Sequence, residues 1–472
     1  MTSPTPGLFP VTAFGALGDG AANDTTALQA AIDACAEAGG GRVLVSPGTY
    51  RTGTLYLRSH VDLHLLAGAT LLGSKDRSDY NADDVFPENQ VFTTENVTGA
   101  HLIIGYGIIR AAITGDGTVD GNSSAFFGSL ANDKRADGYR HKRANFPIRD
   151  WRPGQMIWIC NCRDVAVRDV TLCNSPYWTL MFFGCEDVRV RGLRITNPPE
   201  TANGDGIDVD CCHDVTISDC LIAVGDDCIT LRGNPRHLGR DQACENVVVS
   251  NCVLHTPCNC VRVGVGDGTV RNCSLSNLVM ADARTGINVI SRYNERTPRG
   301  TLIENISFAN LTMDVTLPLQ ITHGADPDPE AGIRNLSIRN VRAYVTAGSY
   351  IGGNPGNPVR GVCLQDWDLH IHGGTDNEAF VEAVPYPYGI FGNTGVEGRP
   401  AVPAAIYARY TVGLRLQNFR VHWGAELARV WRHAMWFEDG IAIEPPEPPP
   451  PAPPVGGGSS AVRLLRCAKP PR

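Results

Sequence analysis

The sequence predicts an all-β solenoid, a parallel β-helix closed at its N-terminal end by a capping helix. Three observations carry that expectation. A short motif recurs, Cys or Ile, any residue, Asp or Asn, then alternating apolar residues. It reads Cys162-Arg163-Asp164-Val165-Ala166-Val167, then Cys185-Glu186-Asp187-Val188-Arg189-Val190, then Cys212-His213-Asp214-Val215-Thr216-Ile217, then Cys244-Glu245-Asn246-Val247-Val248-Val249. The steps between the cysteines are 23, 27 and 32 residues, the length of one solenoid coil with insertions placed in loops. Apolar residues alternate with period two and no helical period intervenes, and 51 glycines and 32 prolines in 472 residues supply the turns. A propeller blade needs about 40–50 residues, too long for these steps.

Taken in order, the chain opens with an extended stretch around Val11-Thr12-Ala13-Phe14 and a Gly-rich turn from Gly15 to Gly20. Asn23-Asp24-Thr25 then reads as a helix N-cap, and Leu28, Ile32 and Cys35 lie on one helical face until Gly39-Gly40-Gly41 stops it. This helix is expected to plug the open end of the solenoid, since terminal repeats need a cap. Short strands begin at Val43 and continue to the 420s, with weaker copies of the motif at Ile303-Glu304-Asn305-Ile306 and Ile333-Arg334-Asn335-Leu336. Residues 350–400, rich in Gly, Pro and Asn, read as a long loop or broken coil, followed by a final strand at Gly413-Leu414-Arg415-Leu416. The expected domain spans 1–444, and 445–472, with its proline run and Gly456-Gly457-Gly458-Ser459-Ser460, reads as a disordered tail.

Net charge is −8 and no long basic run interrupts the body, which argues against nucleic acid as a partner. The first residues show neither a basic region nor an apolar one, so neither a signal peptide nor a membrane span is expected. On that reading the chain is cytoplasmic or a mature secreted form. Sixteen cysteines in so long a chain read as buried, stacked thiols, and Cys160-x-Cys162 and Cys258-x-Cys260 lack the spacing of structural zinc.

The chemistry concentrates between Asn203 and Ile229. Asn203-Gly204-Asp205-Gly206-Ile207-Asp208 is followed by Gly225-Asp226-Asp227-Cys228-Ile229, and 226 − 205 = 21 residues is about one coil. Stacking would gather Asp205, Asp226 and Asp227, a costly cluster of like charges that raises at least one pKa. Carboxylates of unequal pKa on a rigid face suit glycoside cleavage, one protonated to donate to the leaving oxygen and another ionised to activate water. Asp208 and Asp210 are expected at a turn or rim.

These residues resemble glycoside hydrolase family 28, the polygalacturonase family of pectin-degrading right-handed β-helices. The resemblance covers most of residues 10–325. It runs through Ile113-Thr114-Gly115-Asp116-Gly117-Thr118-Val119-Asp120-Gly121-Asn122, Arg152-Pro153, Asn174-Ser175-Pro176-Tyr177-Trp178, Asn203-Gly204-Asp205 (Asn-Thr-Asp in the family) and Gly225-Asp226-Asp227-Cys228. It implies a right-handed, single-stranded parallel β-helix and single displacement with inversion, with no metal or other cofactor. Asp226 would be the general acid, and Asp205 and Asp227 would hold the attacking water. Asn203 would join the substrate-binding residues.

Two family motifs are replaced. Cys258-Asn259-Cys260 stands for Gly-His-Gly, and Asn288-Val289-Ile290 stands for Arg-Ile-Lys. The family's Arg and Lys grip the substrate carboxylate, so their loss predicts altered sugar recognition, with Arg262, Arg284 or Arg292 taking over the cationic role. Asn259 faces substrate or joins an internal asparagine ladder, and His323 falls where the family places a substrate-facing aromatic. Trp178 is read as packing. The expected partner is a pectic saccharide containing uronic acid or rhamnose. Two alternatives stay open, a polysaccharide lyase on the same fold and a non-catalytic carbohydrate-binding β-helix.

Overall fold

Strands that follow one another around a coil pair, in register and in parallel, with the strands of the next coil. This is the arrangement seen in the computed structural model, which describes residues 7–82, 86–89, 95–130, 144–292, 297–323, 328–374, 381, 383–384, 402–455 and 458–469. The chain divides into two compact units, Met1–Ile229 with Pro235–Gln242, and Thr230–Asn234 with Ala243–Arg472. Each is a stack of parallel β-helix coils.

In the first unit three faces are built up strand by strand. The first runs Leu8–Pro10, Gly41–Val45, Val61–Leu65, Ile109–Gly115, Arg163–Arg168, Glu186–Arg191, His213–Ser218. The second runs from Asp19–Asn23 through Thr118–Asp120 and Thr171–Cys173 to Leu221–Ala223. The third runs Leu55–Tyr56, Ile103–Tyr106, Ile157–Cys160, Leu180–Phe183, Ile207–Asp210.

The repeated motif now has a physical meaning. Val165, Val188 and Val215 stack in one buried column, and Val167, Val190 and Ile217 in the next, each full burial being worth about 1.5–3 kcal/mol. The Asp or Asn before each column takes φ of 56° at Asp164, 54° at Asp187, 58° at Asp214 and 56° at Asn246. That left-handed conformation bends the chain into the strand, and Asn and Asp tolerate it best among residues with a side chain.

In the second unit the corners tighten until strands fuse, as in Thr269–Ser291 and Leu302–His323. Asn251, Asn277, Asn310 and Asn340 hold left-handed corners with φ from 53° to 57°. Their amides form a ladder, Asn277 donating to Asn251 at 3.1 Å, Asn310 to Asn277 at 2.9 Å and Asn340 to Asn310 at 2.7 Å. A second ladder links Asn335, Asn305 and Asn272.

The N-terminal helix spans Thr25–Glu37, longer at both ends than its apolar face suggests, and buries Leu28, Ala31, Ile32 and Cys35 against the strands Leu8–Pro10 and Gly41–Val45. Asp24 is not its side-chain cap. The carboxylate instead accepts from the Leu17 and Gly18 amides at 2.7 and 3.1 Å, folding back the Gly-rich turn. All 16 cysteines are free thiols, and burial pushes Cys273 up to about 12, which suits packing rather than reactivity.

Two expectations give way. Residues 350–400 are not one loop, since Ser349–Gly352 and Val359–Gly373 are regular strands; residues 375–380, 382 and 385–401 lie outside the described ones. The segment 445–472 is not wholly unstructured. Ser460–Leu465 adds a parallel strand to His433–Glu438, and the Trp423 indole donates to the Pro451 carbonyl at 2.8 Å. Among the described residues, no helix is long and apolar enough to cross a membrane.

Candidate active site

The acidic stretch forms one corner of the first unit, where two successive coils lock together. The Gly206 amide donates to the Asp227 carbonyl at 2.9 Å, Ile207 to Cys228 at 2.9 Å and Gly225 to Gly204 at 3.2 Å. Asp205 and Asp227 therefore occupy corresponding places on adjacent coils, with Asp226 one residue earlier. Asp226 and Asp227 bring carboxylate oxygens within 4.8 Å of each other. Asp227 is fully buried, Asp205 is 4% exposed and Asp226 is half-buried. Of the three, the side chain best reached by solvent is the one assigned as proton donor.

Small residues make the corner possible. A Cβ on Gly206 would lie 2.4 Å from the Cys228 carbonyl oxygen, and one on Gly225 would lie 2.4 Å from the Thr201 carbonyl oxygen. Gly204, where the family has Thr, faces the Thr201 side chain, whose Cβ and Cγ2 would sit 3.0 Å from an added Cβ. Thr201 fills the place that a threonine at 204 would need.

Arg152 organises the approach to this corner. It is 1% exposed and donates to the carbonyls of Glu95, Pro176 and Ala202 at 2.7, 3.0 and 2.7 Å. It also grips the Asn203 side-chain oxygen at 3.0 Å and lies over the Tyr177 ring at 4.9 Å. Asn203 takes φ 53°, so the motif's asparagine serves the turn, with its carbonyl held by Arg152. Asn197 accepts from the Ser175 amide and donates to Thr179, both at 2.8 Å, tying the 174–179 corner to the next coil. Trp178 is packing, 5% exposed and stacked on Tyr177.

Asp208 and Asp210 correct the sequence reading. They are not rim residues but are 0% and 1% exposed on the strand Ile207–Asp210, stacked below Met181 and Phe183. Met181 and Phe183 belong to a cluster with Val97, Trp158, Tyr177 and Leu238, whose members come from segments far apart in sequence. Strand alternation signals only that Asp208 and Asp210 share a side.

The remaining candidates belong to the second unit. Arg262, Asn288 and Gln320 form one column on successive strands, 8%, 2% and 0% exposed. Asn288 donates to the Asn259 side-chain oxygen at 3.0 Å, so these two join each other rather than either corner ladder. Arg284 donates to the Cys258 sulfur at 3.0 Å. Ser291 stacks on His323, and the half-buried Arg292 follows with φ 53°. His323 is 1% exposed, its ring nitrogens have no hydrogen-bond partner among the described residues, and burial pushes its imidazole down to about 4. It is a neutral group at physiological pH.

A parallel β-helix with a carboxylate-lined corner offers the paired acids that glycoside hydrolysis uses. Comparison with known proteins points the same way: residues 85–237 match the model for glycosyl hydrolases family 28. It is 25% identical over 379 residues to a probable polygalacturonase of Vitis vinifera, covering 76% of this chain and 73% of that one. It is 29% identical over 258 residues to an exo-poly-alpha-D-galacturonosidase of Dickeya chrysanthemi, covering 48% and 42%. The fold is similar to the crystal structure of an exopolygalacturonase from Thermotoga maritima, with a TM-score of 0.63 and 22% identity over 78% of this chain and 87% of that one.

Proposed function

We propose that the chain hydrolyses a glycosidic bond in a pectic saccharide with inversion at the anomeric carbon. The observation that carries the reading is the lock between Gly204–Gly206 and Gly225–Cys228, which sets Asp205 and Asp227 at matching places on adjacent coils and Asp226 beside them. Asp226 donates its proton to the leaving oxygen. Asp205 and Asp227 hold and deprotonate the water that attacks from the opposite face. Acid and base in such enzymes stand about 6.5–9.5 Å apart; Asp226 and Asp227 approach closer than that at one oxygen each, within 4.8 Å, so the anomeric configuration of the product, not the spacing, decides between inversion and retention.

Saccharide contacts in the second unit are proposed for Asn259, Arg262, Asn288, Arg292 and His323. A neutral Asn288 and an apolar Ile290 replace two cations of the family. Each charge-assisted contact is worth about 1.5–3 kcal/mol, so their loss amounts to roughly 3–6 kcal/mol, or two to four decades of specificity. Arg262, on the strand beside Asn288, supplies the compensating cation, or the sugar beside the cleaved bond is not a simple uronide. Reducing-sugar release from galacturonan and rhamnogalacturonan fragments, by wild type and Arg262→Ala, decides the matter. Brisk galacturonan hydrolysis indifferent to Arg262→Ala refutes the recognition scheme. A product absorbing in the ultraviolet identifies a lyase instead.

A further inference from the structure

Outside the acidic corner, the second unit gathers three metal-ligating side chains on the outer side of two neighbouring strands. Asp368 and His370 lie two residues apart on Val359–Gly373, so period-two alternation points both the same way. His422, on Arg415–Leu427, is the register partner of His370. Their rings stack at 4.5 Å with 13° between planes. Nε2 of His422 lies 2.6 Å from Oδ1 of Asp368, and Nε2 of His370 lies 3.4 Å from Oδ2. One ligand atom from each residue lies within 4.8 Å of the others.

We propose that Asp368, His370 and His422 form a binding site for a divalent transition metal such as Zn²⁺, clamping these two strands of neighbouring coils. Both imidazoles already direct the same nitrogen at one carboxylate, the donor set that suits Zn²⁺, Ni²⁺ or Cu²⁺ and not Mg²⁺ or Ca²⁺, which require mostly oxygen ligands. Zn–N bonds of about 2.0–2.1 Å and Zn–O bonds of about 2.0–2.2 Å require the two imidazoles to tilt out of their stack, because each ring's lone pair lies in its own plane. The ion takes the place of the proton on Nε2 of His422 that faces Asp368; in a neutral imidazole that proton is relocated through solvent to Nδ1, and in a protonated one it leaves to solvent. With Asp368 18%, His370 33% and His422 50% exposed, the site has a path for entry and room for water to complete the coordination. Two cations stand nearby. Arg342 approaches Asp368 at 3.4 Å and is 62% exposed, a pair weak enough to yield. Arg420 shares a shallow surface pocket with Asp368, and its charge weakens the site.

The test uses the full chain, freed of metal with chelator and then dialysed against Zn²⁺, with bound metal counted by elemental analysis and melting temperature followed as the site fills. The expected result is one Zn²⁺ per chain above the level of the His370→Gln/His422→Gln variant, together with a saturable rise in melting temperature that Ca²⁺ does not reproduce. Asp368→Asn is expected to weaken Zn²⁺ binding at least about tenfold. The half-buried thiols Cys173, Cys258, Cys363 and Cys467, and His372, remain in every variant, so their contribution cancels. Equal Zn²⁺ binding by wild type and the double variant, or no binding by a correctly folded wild type, overturns the proposal. Circular dichroism verifies that each variant folds.

Discussion

Replacing Gly206 by Ala tests whether the corner positions the reacting groups. The added Cβ would lie 2.4 Å from the Cys228 carbonyl oxygen and 2.8 Å from Ile222 Cγ2. An ordinary carbon–oxygen contact is about 3.3–3.6 Å, so the two coils must part by about 1 Å at this point. The amide of Gly206 holds the Asp227 carbonyl, so the displacement falls on Asp227 and its neighbour Asp226. Overpacking of this kind costs about 1–3 kcal/mol of stability, and a misplacement of about 1 Å costs about 10²-fold in rate. Gly204→Ala is the graded control, because its nearest neighbours are Thr201 side-chain atoms at 3.0 Å, which can give way. The assay is kcat on a pectic oligosaccharide at a temperature well below each variant's melting transition. A folded Gly206→Ala enzyme turning over at the wild-type rate refutes the claim that this corner aligns the carboxylates.

Asp226→Asn is expected to lose several orders of magnitude in kcat with an unchanged melting temperature, measured by reducing-sugar release and thermal melting. Asn277→Ala removes an inner member of the ladder, losing one donated and one accepted hydrogen bond, and lowers stability by about 1–3 kcal/mol at about 0.5–1.5 kcal/mol per bond, read from chemical denaturation. His323 is held near 4 by burial against about 6.5 when unfolded. The unfolded state therefore binds the extra proton, and stability is full above pH 6.5, falls between about 6.5 and 4, and levels off below 4. His323→Gln is expected to remove about 2 kcal/mol of the difference between pH 7 and pH 5, measured as denaturation midpoints at the two values.

Much of the fold was legible because the repeat is a physical necessity. A coil needs a residue that tolerates the left-handed corner, then apolar residues on alternate positions, and Asp164, Asp187 and Asp214 with their following valines show both. The acidic corner was legible for the same reason, as Asp205 lies one coil before the adjacent Asp226 and Asp227. What covers the third face was not. Asp208 and Asp210 look like rim residues until strand register sets them in columns with Trp158, Met181 and Phe183, and Val97 and Leu238 join that cluster from distant segments. The strand Ser460–Leu465 was hidden by the proline and glycine around it, although Val462 and Leu464 alternate as a strand should. Asp24 has the right identity for a cap, yet nearby amides in the turn before it take its carboxylate. His370 and His422, 422 − 370 = 52 residues apart, meet only through strand register.

The central claim is that Asp205, Asp226 and Asp227 form an inverting hydrolytic centre. Proton NMR of the first product released from a pectic oligosaccharide, recorded before mutarotation, tests it most directly. The account predicts a newly formed reducing end of opposite anomeric configuration to the bond cleaved, and no such signal from Asp226→Asn over the same interval. A first product of retained configuration contradicts it.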